Sequence, residues 1–405
     1  MDDILVIGAG PVGATFALLA KARGCNVALM DARHLSEAPD ASAAQQGARV
    51  EPAESRSLAL SHGSRVILAR AGAWQSDLNA TEIHNVHTSQ QGGFGRLKLS
   101  REDANVPALG YVISYGALQS VLDDATRNAQ MTIRWGCNIS AIERTSNGVS
   151  VTYIQAGDAK IAEARMIVLA DGGANLAKLG DTDVEEKDYG QSALLAKISS
   201  DARHHHVAYE RFTPDGPLAL LPYSVTGTGT HDYAMVWVDT SEKTNARMGL
   251  SDNAVLDEFQ AAFGTRAGKF LSLSARQSYP LKLRQSQARV ALGNRVAIIG
   301  NAAQAMHPVA GQGFNLGLRD ADTLAKLVGN EAENKTDYAE ALSQYDALRV
   351  SDVRRGVGLT DLLASAFLTD HVTLRVPRGF GLAMIDLLPS ARKRLANVML
   401  FGSRR

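Results

Sequence analysis

The hydrophobic pattern at the start of the chain predicts a strand, a helix and a second strand. Residues 4–7 form a short apolar run rich in β-branched side chains, and the helical pattern that follows extends to Arg23. A second apolar run covers residues 26–30 and stops at Asp31. Strands that alternate with helices in this way are typical of a parallel sheet. We therefore predict that the chain begins with a βαβ unit.

Later segments have other patterns. Residues 181–277 contain stretches such as 207–212 in which apolar and polar side chains alternate. This alternation predicts antiparallel strands with one buried face. Residues 295–299 form another apolar run that leads into a helical pattern, and the chain is helical in pattern from residue 336 onward. The fold class is therefore predicted as α/β, with a Rossmann-like domain, an inserted antiparallel sheet and a helical C-terminal part.

The same patterns predict how the chain is divided. A discontinuous cofactor-binding domain takes residues 1–72, 102–180 and 278–330. The gaps, residues 73–101 and 181–277, form a substrate domain. Residues 331–405 form a C-terminal helical subdomain.

Composition narrows the function. The chain has 405 residues, of which 45% are hydrophobic and 21% charged, enough to build a large core. Basic and acidic residues number 42 each, so no overall field attracts nucleic acid. Asp2 and Asp3 occupy the place where an export signal has basic residues, and no apolar run reaches eighteen residues. We predict a cytoplasmic protein that has no nucleic-acid partner.

Metal and disulfide chemistry are not predicted. Cys25 and Cys137 lie far apart in sequence and show no zinc-ligand spacing. Residues 204–206 are three adjacent histidines, whose side chains would point to opposite faces of an extended segment. We interpret this segment as a polar surface loop and expect no metal site.

A glycine turn in the first βαβ unit has the spacing of a dinucleotide-binding fingerprint. Gly8 permits a tight turn, Gly10 lets the backbone approach a pyrophosphate, and Gly13 lets the helix pack closely on the strand. The helix N-terminus then faces the anion. Asp31 ends the second strand, where its carboxylate can accept hydrogen bonds from ribose hydroxyls. NAD and FAD present the same ADP half to such a turn, so the turn alone does not distinguish the two cofactors.

A second motif distinguishes the two cofactors. Residues 300–321 read GNAAQAMHPVAGQGFNLGLRDA. This run resembles the second flavin-binding motif of the single-component FAD-dependent aromatic hydroxylases, which share the para-hydroxybenzoate-hydroxylase fold. Asn301 and Gln304 replace the usual Asp and His, and these replacements are similar to the ubiquinone-biosynthesis branch of that family. Asn301 retains a side chain that can hydrogen-bond a ribityl hydroxyl.

The resemblance implies positions for the cofactor. Arg56 would lie beside the flavin and its phosphates, Gln119 would be a polar contact, and Asp171 belongs to a motif that touches FAD and the nicotinamide donor. Pro308, Gly311 and Gln312 would form a turn facing the flavin. The full implied FAD-binding set is Gly8, Gly10, Gly13, Asp31, Arg56, Gln119, Asp171, Asn301, Pro308, Gly311, Gly313 and Asn315.

The resemblance also implies a reaction. NADH or NADPH would reduce the FAD, O2 would add at C4a, and the hydroperoxide would transfer oxygen to a polyprenylated phenol in ubiquinone biosynthesis. Leu218, Leu220 and Pro222 would line an apolar ring pocket above the flavin. No acid or base is identified. His307 precedes a proline, where a histidine more often caps backbone than acts in catalysis.

Two alternatives to this reaction stay open. The chain could hydroxylate a small soluble aromatic, or it could be a non-catalytic escort that binds a prenyl group. An apolar pocket long enough for an isoprenoid would separate the first alternative from the main hypothesis.

The end of the chain has two interpretations. Residues 379–405 combine an apolar series with basic residues that include Arg392, Lys393 and Arg394. Such a helix either packs on the body with a solvated cationic face or lies on anionic lipid at the inner face of the membrane. Partners among other ubiquinone-synthesis proteins are a further expectation.

Overall fold

The computed structural model describes residues 2–34, 56–75, 78–182, 184–224, 229–286, 288–305, 312–334, 338–350 and 372–402. The helices are α1 (Pro11–Lys21), α2 (His62–Arg70), α3 (Arg101–Ala104), α4 (Tyr115–Asn128), α5 (Ser241–Met248), α6 (Asp252–Phe263), α7 (Gln312–Asn334), α8 (338–350), α9 (Val372–Leu387) and α10 (Pro389–Phe401). The strands are β1 (Asp2–Ile7), β2 (Val27–Met30), β3 (Ser57–Ser61), β4 (Thr81–Ile83), β5 (Asn85–Gln90), β6 (Arg96–Ser100), β7 (Gly110–Ser114), β8 (Thr132–Arg134), β9 (Asn138–Arg144), β10 (Val149–Gln155), β11 (Asp158–Leu169), β12 (Val184–Ser200), β13 (Val207–Phe212), β14 (Pro217–Tyr223), β15 (Asp232–Thr240), β16 (Phe270–Ser286), β17 (Val290–Ala291), β18 (Val296–Ile298) and β19 (Gln304–Ala305).

The first sheet confirms the predicted α/β class. Its strands follow the order β17-β18-β11-β1-β2-β8, and the pairs from β18 to β8 are parallel. Strands β9 and β10 extend β11 as an antiparallel arm. The central strand β1 has four fully or nearly buried residues, Ile4 to Ile7, because helices and the β9–β11 arm cover both faces. The βαβ unit predicted for residues 4–31 is confirmed as β1, α1 and β2.

The second sheet is the predicted antiparallel sheet. Its order is β19-β16-β12-β15-β14-β13-β5-β6, and only the β13–β5 pair is parallel among the described strands. Helix α6 covers one face of this sheet with an aromatic core that includes Phe259 and Phe263. The opposite face points toward the first sheet. A three-stranded sheet, β3-β7-β4, lies beside the two larger ones.

The strands do not end at every predicted domain boundary. Strand β16 spans Phe270–Ser286 and therefore crosses the boundary predicted at residue 278. Strand β4, within the predicted 73–101 segment, pairs with β7 rather than with the large antiparallel sheet. The division into domains stays a prediction, and the structure adds that one continuous strand joins two of the predicted parts.

The C-terminal helices pack on the body. Leu395, Ala396 and Leu400 of α10 are buried in an apolar cluster with Leu99 and Phe212 of the antiparallel sheet. Arg392 forms an ion pair with Asp103 of α3, 3.1 Å apart. These contacts agree with the interpretation in which this helix packs on the body.

A buried ion pair fixes α7 and α8 against the first sheet. Asp320 of α7 and Arg349 of α8 are 2.6 Å apart and are exposed by only 2% and 3% of their side-chain surface. The second oxygen of Asp320 accepts a hydrogen bond from the backbone N–H of Gly300, where the chain leaves β18. Tyr345 of α8 adds a buried hydrogen bond to the carbonyl of Ile298. Asp320 therefore positions the start of the second glycine motif.

We expect Asp320→Ala to lower the free energy of unfolding by about 3–5 kcal/mol, because it leaves the Arg349 charge buried without its carboxylate. Urea denaturation followed by circular dichroism measures this change. Asp124→Ala is the matched control, since Asp124 and Arg127 form an exposed pair on α4 and such pairs contribute about 0–1 kcal/mol. Equal losses in the two variants would contradict the role given to Asp320.

Candidate functional site

One cavity of about 840 Å³ runs between the first sheet and the antiparallel sheet. This volume lies within the range of about 300–1,000 Å³ that is common for ligand pockets. One end carries glycines and charged side chains, and the other end is apolar. The predicted cofactor residues that line the charged end and the adjoining wall are Gly8, Gly10, Asp31, Arg56, Asp171, Asn301, Gln312, Gly313 and Asn315.

The three glycines of the first turn are needed for different reasons. A Cβ on Gly8 would lie 2.6 Å from the carbonyl oxygen of Ala170, and the φ of Gly8 is +101°. A Cβ on Gly13 would overlap the carbonyl oxygen of Gly8. Gly10 is different, because a Cβ there would meet no protein atom within 4 Å. Its φ of −64° also suits any residue. The protein itself does not require a glycine at position 10, whereas a ligand against the backbone would.

Asp31 is held in place beside this turn. One of its carboxylate oxygens accepts the backbone N–H of Ala9 at 2.6 Å. The other accepts the backbone N–H and the Nε of Arg33. The oxygen that binds Ala9 accepts only that one bond and has a second acceptor position, so a ribose hydroxyl can still be bound there. Arg33 itself also donates to the carbonyl of Ala9, which fixes the turn from both sides.

Gln119 lies behind the turn and does not line the cavity. Its Nε2 donates to the carbonyl of Ala9 at 3.0 Å and to Asp123 at 2.7 Å. Its Oε1 is buried and has no hydrogen-bond partner among the described residues. The direct FAD contact predicted for Gln119 stays a prediction. The contact that the structure gives it is support of the glycine turn.

Arg56 and Asp171 both line the charged end of the cavity. The Arg56 guanidinium stacks over the ring of Tyr115, 4.8 Å from its centroid, and both residues line the cavity. The Asp171 carboxylate accepts backbone N–H bonds from Gly173 and Asn175 and a side-chain bond from Asn175. Asp171 therefore closes a tight turn at the end of β11, while Arg56 offers a cation to the cavity.

Helix α7 begins at the cavity wall. Gln312, Gly313 and Asn315 line the cavity at its first turn, where backbone N–H groups have no partner within the helix. The N-terminus of this 23-residue helix favours negative charge. The Asn315 side chain accepts from the N–H of Ser61 and donates to the carbonyl of Ala59, so it also ties α7 to β3.

Asn301 lines the cavity from a short 3₁₀ turn after β18. Pro308 and Gly311, predicted in the turn that faces the flavin, lie outside the described residues.

The prediction for the substrate pocket is wrong by one residue. Leu218 and Leu220 are fully buried in the core beneath α6, on the face of β14 that points away from the cavity. Pro222 is buried as well and does not line the cavity. The cavity is lined by their neighbours Pro217, Ala219 and Leu221. Successive side chains of a strand point to opposite faces, so a shift of one position exchanges the whole set. The apolar character expected of the pocket is present.

Two ionisable residues on the cavity face of the sheet were missed. Glu210 of β13 lines the cavity. Lys197 of β12 hydrogen-bonds to Ser57, and its ammonium lies 3.3 Å from the ring centroid of Tyr223. Burial lowers the pKa of Lys197 to about 8. Strand alternation was the signal that could have placed both residues on this face, once the orientation of the sheet was known.

One residue of the histidine segment is buried, although the segment was predicted to be a surface loop. His204 is 1% exposed, so the interpretation as a surface loop is wrong for this residue. Its Nε2 lies 3.0 Å from the carbonyl oxygen of Gly229, and its Nδ1 accepts the backbone N–H of His206. His204 therefore fixes a turn between strands.

We expect Gly10→Val to leave the fold intact and to abolish FAD binding, because the new side chain meets solvent space in the protein but would occupy the path of a pyrophosphate. Circular dichroism checks that the fold is intact, and the flavin-to-protein ratio after reconstitution measures FAD binding. Gly381→Val is the matched control, since a Cβ on Gly381 also meets no protein atom and this residue lies on α9 away from the turn. Stoichiometric FAD in the Gly10 variant would contradict the assignment.

The chain is similar over nearly its whole length to proteins named as hydroxylases and monooxygenases. The chain is 29% identical over 391 residues to the ubiquinone hydroxylase UbiL of Rhodospirillum rubrum, covering 95% of this chain and 86% of the relative. It is 26% identical over 391 residues to the 3-demethoxyubiquinol 3-hydroxylase of Escherichia coli, covering 94% and 93%. The human ubiquinone biosynthesis monooxygenase COQ6 is 26% identical over 449 residues, covering 99% and 92%.

Solved structures show the same fold. The p-nitrophenol 4-monooxygenase PnpA of Pseudomonas putida matches with a TM-score of 0.77 at 16% identity, covering 100% of this chain and 99% of the other. PqsL of Pseudomonas aeruginosa, described as a probable FAD-dependent monooxygenase, matches with a TM-score of 0.70 at 20% identity, covering 94% and 99%.

The sequence profile of the FAD binding domain family matches residues 1–357. The chain therefore belongs to the FAD binding domain family.

Proposed function

We propose that this protein is an FAD-dependent monooxygenase that hydroxylates a polyprenylated phenol in ubiquinone biosynthesis, with O2 and either NADH or NADPH as co-substrates. Family membership supports FAD as the cofactor. The relatives named as ubiquinone hydroxylases match over nearly the whole chain, which supports the reaction and the class of substrate.

The observation that carries the substrate class is the apolar end of the cavity. This end extends from the antiparallel sheet to the last helix, α10. Its lining residues come from β5, β6, the chain before β7, and α10, and they are Val86, Leu99, Leu109, Ala396, Met399 and Leu400. A small soluble aromatic would leave this end of the cavity empty, whereas an isoprenoid chain would fill it and bury its own apolar surface there. At about 25 cal/mol per Å² of apolar surface, such burial favours the long substrate.

The charged end suits the FAD of the family. The Gly10 backbone leaves room for a pyrophosphate, Arg56 supplies a phosphate-binding cation, and Asp31 accepts from the ribose. The α7 N-terminus would face the flavin ring and favour negative charge on it. Bound FAD supplies the redox chemistry, which takes electrons from the nicotinamide and oxygen from O2.

The antiparallel sheet contributes exclusion of water. Ala219, Leu221, Val236 and Val238 line the cavity from two adjacent strands and offer no hydrogen-bonding side chain. A substrate ring held between this surface and the flavin would be shielded from solvent. Exclusion of water limits side reactions during oxygen transfer.

A membrane surface is the partner suited to the exposed apolar side chains near the C-terminal end of the described chain. Four exposed apolar side chains lie on α9 or immediately after it, namely Phe380 (60% exposed), Met384 (40%), Leu387 (72%) and Leu388 (47%). Phe94, 53% exposed, lies in the β5–β6 turn that contacts Gly379. We call these five residues the α9 patch. Lys393 and Arg394 of α10 are exposed nearby in sequence and can attract anionic lipid. Among the described residues, no helix has the length and apolar character needed to cross a bilayer.

The central test uses the FAD-loaded protein with NADH or NADPH, O2 and a prenylated methoxyphenol. We expect donor oxidation that the phenol accelerates, together with a product heavier by one oxygen atom in mass spectrometry. Faster and better coupled turnover of the same phenol without its prenyl chain would favour a hydroxylase of small aromatics. FAD that is never reduced in the presence of either donor, together with tight prenyl binding, would favour an escort protein.

Met399→Trp tests the path of the isoprenoid. We expect kcat/KM to fall about tenfold or more for a long-chain substrate and to change little for a single-isoprene substrate, because the larger side chain fills the apolar end. Leu271→Trp is the control, since Leu271 is 57% exposed on β16. Equal losses for both chain lengths in Met399→Trp would contradict the assigned path.

Replacement of Phe380 and Leu387 together by serine should weaken sedimentation with anionic liposomes by about tenfold, because it removes apolar surface from the α9 patch. Ile161→Ser is the control, since Ile161 is 69% exposed on β11 and lies outside the patch. Unchanged sedimentation of the double variant would overturn the membrane assignment. Deletion of α10 is a poorer test, since its buried leucines belong to the core.

A further inference from the structure

Lys197 lies on the same face of the antiparallel sheet as the apolar wall of the cavity. Its strand, β12, buries Leu194, Ala196 and Ile198 in the core beneath α6. Strand alternation therefore points Leu195 and Lys197 to the opposite face, and Leu195 lines the cavity. Two residues along a strand span about 6.5 Å. A cationic side chain thus begins one such step from the apolar surface on which we place the substrate ring.

The Lys197 ammonium contacts the wall of the cavity that β3 forms. It donates a hydrogen bond to the hydroxyl of Ser57, and Ser57 lines the cavity. The ammonium also lies 3.3 Å from the ring centroid of Tyr223. An aromatic face attracts a cation without supplying a negative charge. Among the residues that the structure describes, no carboxylate forms an ion pair with Lys197.

Charged and titratable groups near Lys197 come from several elements. The chain just before β3 contributes Arg56, a second cation that lines the cavity. Strand β14 contributes Tyr223, whose pKa is raised by burial and by Asp232 of β15, so its hydroxyl stays protonated at neutral pH. Strand β16 places the uncharged Ser274 opposite Lys197. Two cations and one carboxylate leave a positive balance here, which favours an anionic ligand.

The bond between Lys197 and Ser57 constrains the direction of the Ser57 hydroxyl. An ammonium group can only donate, so the Ser57 oxygen accepts this bond. The hydroxyl hydrogen must then point away from Lys197, and it has no second partner among the described residues. Because Ser57 lines the cavity, an oxygen of a ligand can accept this hydrogen. The bond from the ammonium also polarises the hydroxyl, which makes the hydroxyl a stronger donor.

We propose that the Ser57 hydroxyl donates a hydrogen bond to the phenol oxygen of the substrate, and that the Lys197 charge behind it holds this oxygen as a phenolate. The proposal rests on the proposed function. As the substrate binds, its O–H bond breaks, the electron pair stays on the oxygen and the proton passes to water. Electron density in the ring rises, which favours attack on an electrophilic oxygen. Ser57 contacts the substrate, and Lys197 is a positioning residue that acts through it.

The arrangement brings the charge close enough to act on the phenol. Two consecutive hydrogen bonds of about 2.8 Å place the phenol oxygen at most about 5.6 Å from the ammonium. An opposite charge at about 4–6 Å lowers the pKa of an acid by about 1–3, and a free phenol has a pKa of about 10. Burial lowers the pKa of Lys197 to about 8, which still leaves the ammonium charged at neutral pH.

The test measures ionisation of a bound ligand and needs no turnover. A prenylated methoxyphenol is added to the FAD-loaded protein, and the ultraviolet difference spectrum gives the fraction bound as phenolate at each pH. In the wild type we expect the pKa of the bound phenol to lie about 1–3 below that of the free ligand. In Lys197→Met the pKa should return at least to the value of the free phenol, because the charge is lost. Binding of the methyl ether, which has no proton to lose, should change little.

Two further variants separate the two residues. Lys197→Arg keeps the charge and should restore part of the lowered pKa. Ser57→Ala removes the donor that contacts the ligand and should weaken binding of the phenol more than binding of the ether. Lys160→Met, at an exposed position of β11, is the control for loss of one positive charge. Circular dichroism and the bound FAD show that each variant is folded. A Lys197→Met protein with the wild-type pKa for the bound phenol would overturn the proposal.

The other ligand oxygen that could accept the Ser57 hydrogen belongs to the flavin ring. In that case Lys197→Met would lower the reduction potential of the flavin, because a nearby positive charge is lost, and would leave the pKa of the bound phenol unchanged. This result would also overturn the proposal.

Failure of the proposed function is distinguishable from failure of this inference. A wild type that binds the phenol as its phenolate but hydroxylates no phenol would contradict the proposed function and would support the roles of Ser57 and Lys197. A wild type that hydroxylates the phenol without lowering its pKa would contradict these roles and support the function. A wild type that binds no phenol would overturn both.

Discussion

The structure depends on a close contact between backbones at the start of the chain. Helix α1 can reach β1 only because Gly13 places no side chain against the carbonyl of Gly8, and Gly8 in turn lies directly on the end of β11. This contact brings the N-terminus of a helix to the carboxyl edge of a parallel sheet. Asp31, Arg33 and Gln119 all direct hydrogen bonds to the same short turn, so its conformation is fixed before any ligand arrives.

The second constraint is the way in which the antiparallel sheet closes over that edge. One face of the sheet is committed to the aromatic core beneath α6, which makes the other face available to a ligand. The cavity therefore has one polar wall built from turns and one apolar wall built from strands. Such a division suits two ligands that must lie in contact, one a charged nucleotide and the other an apolar ring.

Much of this arrangement was predictable, and the exceptions have physical reasons. The βαβ unit and the motif at residues 300–321 could be read because each residue type answers a local requirement for space or hydrogen bonding. The orientation of β14 could not, because Leu218, Ala219, Leu220 and Leu221 are all apolar and no local signal says which side faces the cavity. Glu210 was overlooked because its place on the cavity face depends on how β13 pairs with the strands on either side of it. The bonds from Asn315 to β3 could not be foreseen from a motif in which asparagine implies a cofactor contact.

Ser61 links parts of the molecule that would otherwise be independent. Its backbone N–H binds Asn315 at the start of α7, and its hydroxyl donates to the carbonyl of Leu400 in α10. The cavity wall at the start of α7 and the wall formed by α10 are thus joined through one small residue. Under the proposed function, a change of the last helix that suits a shorter or longer isoprenoid would also act on the start of α7, and so on the redox properties of a flavin bound beside it.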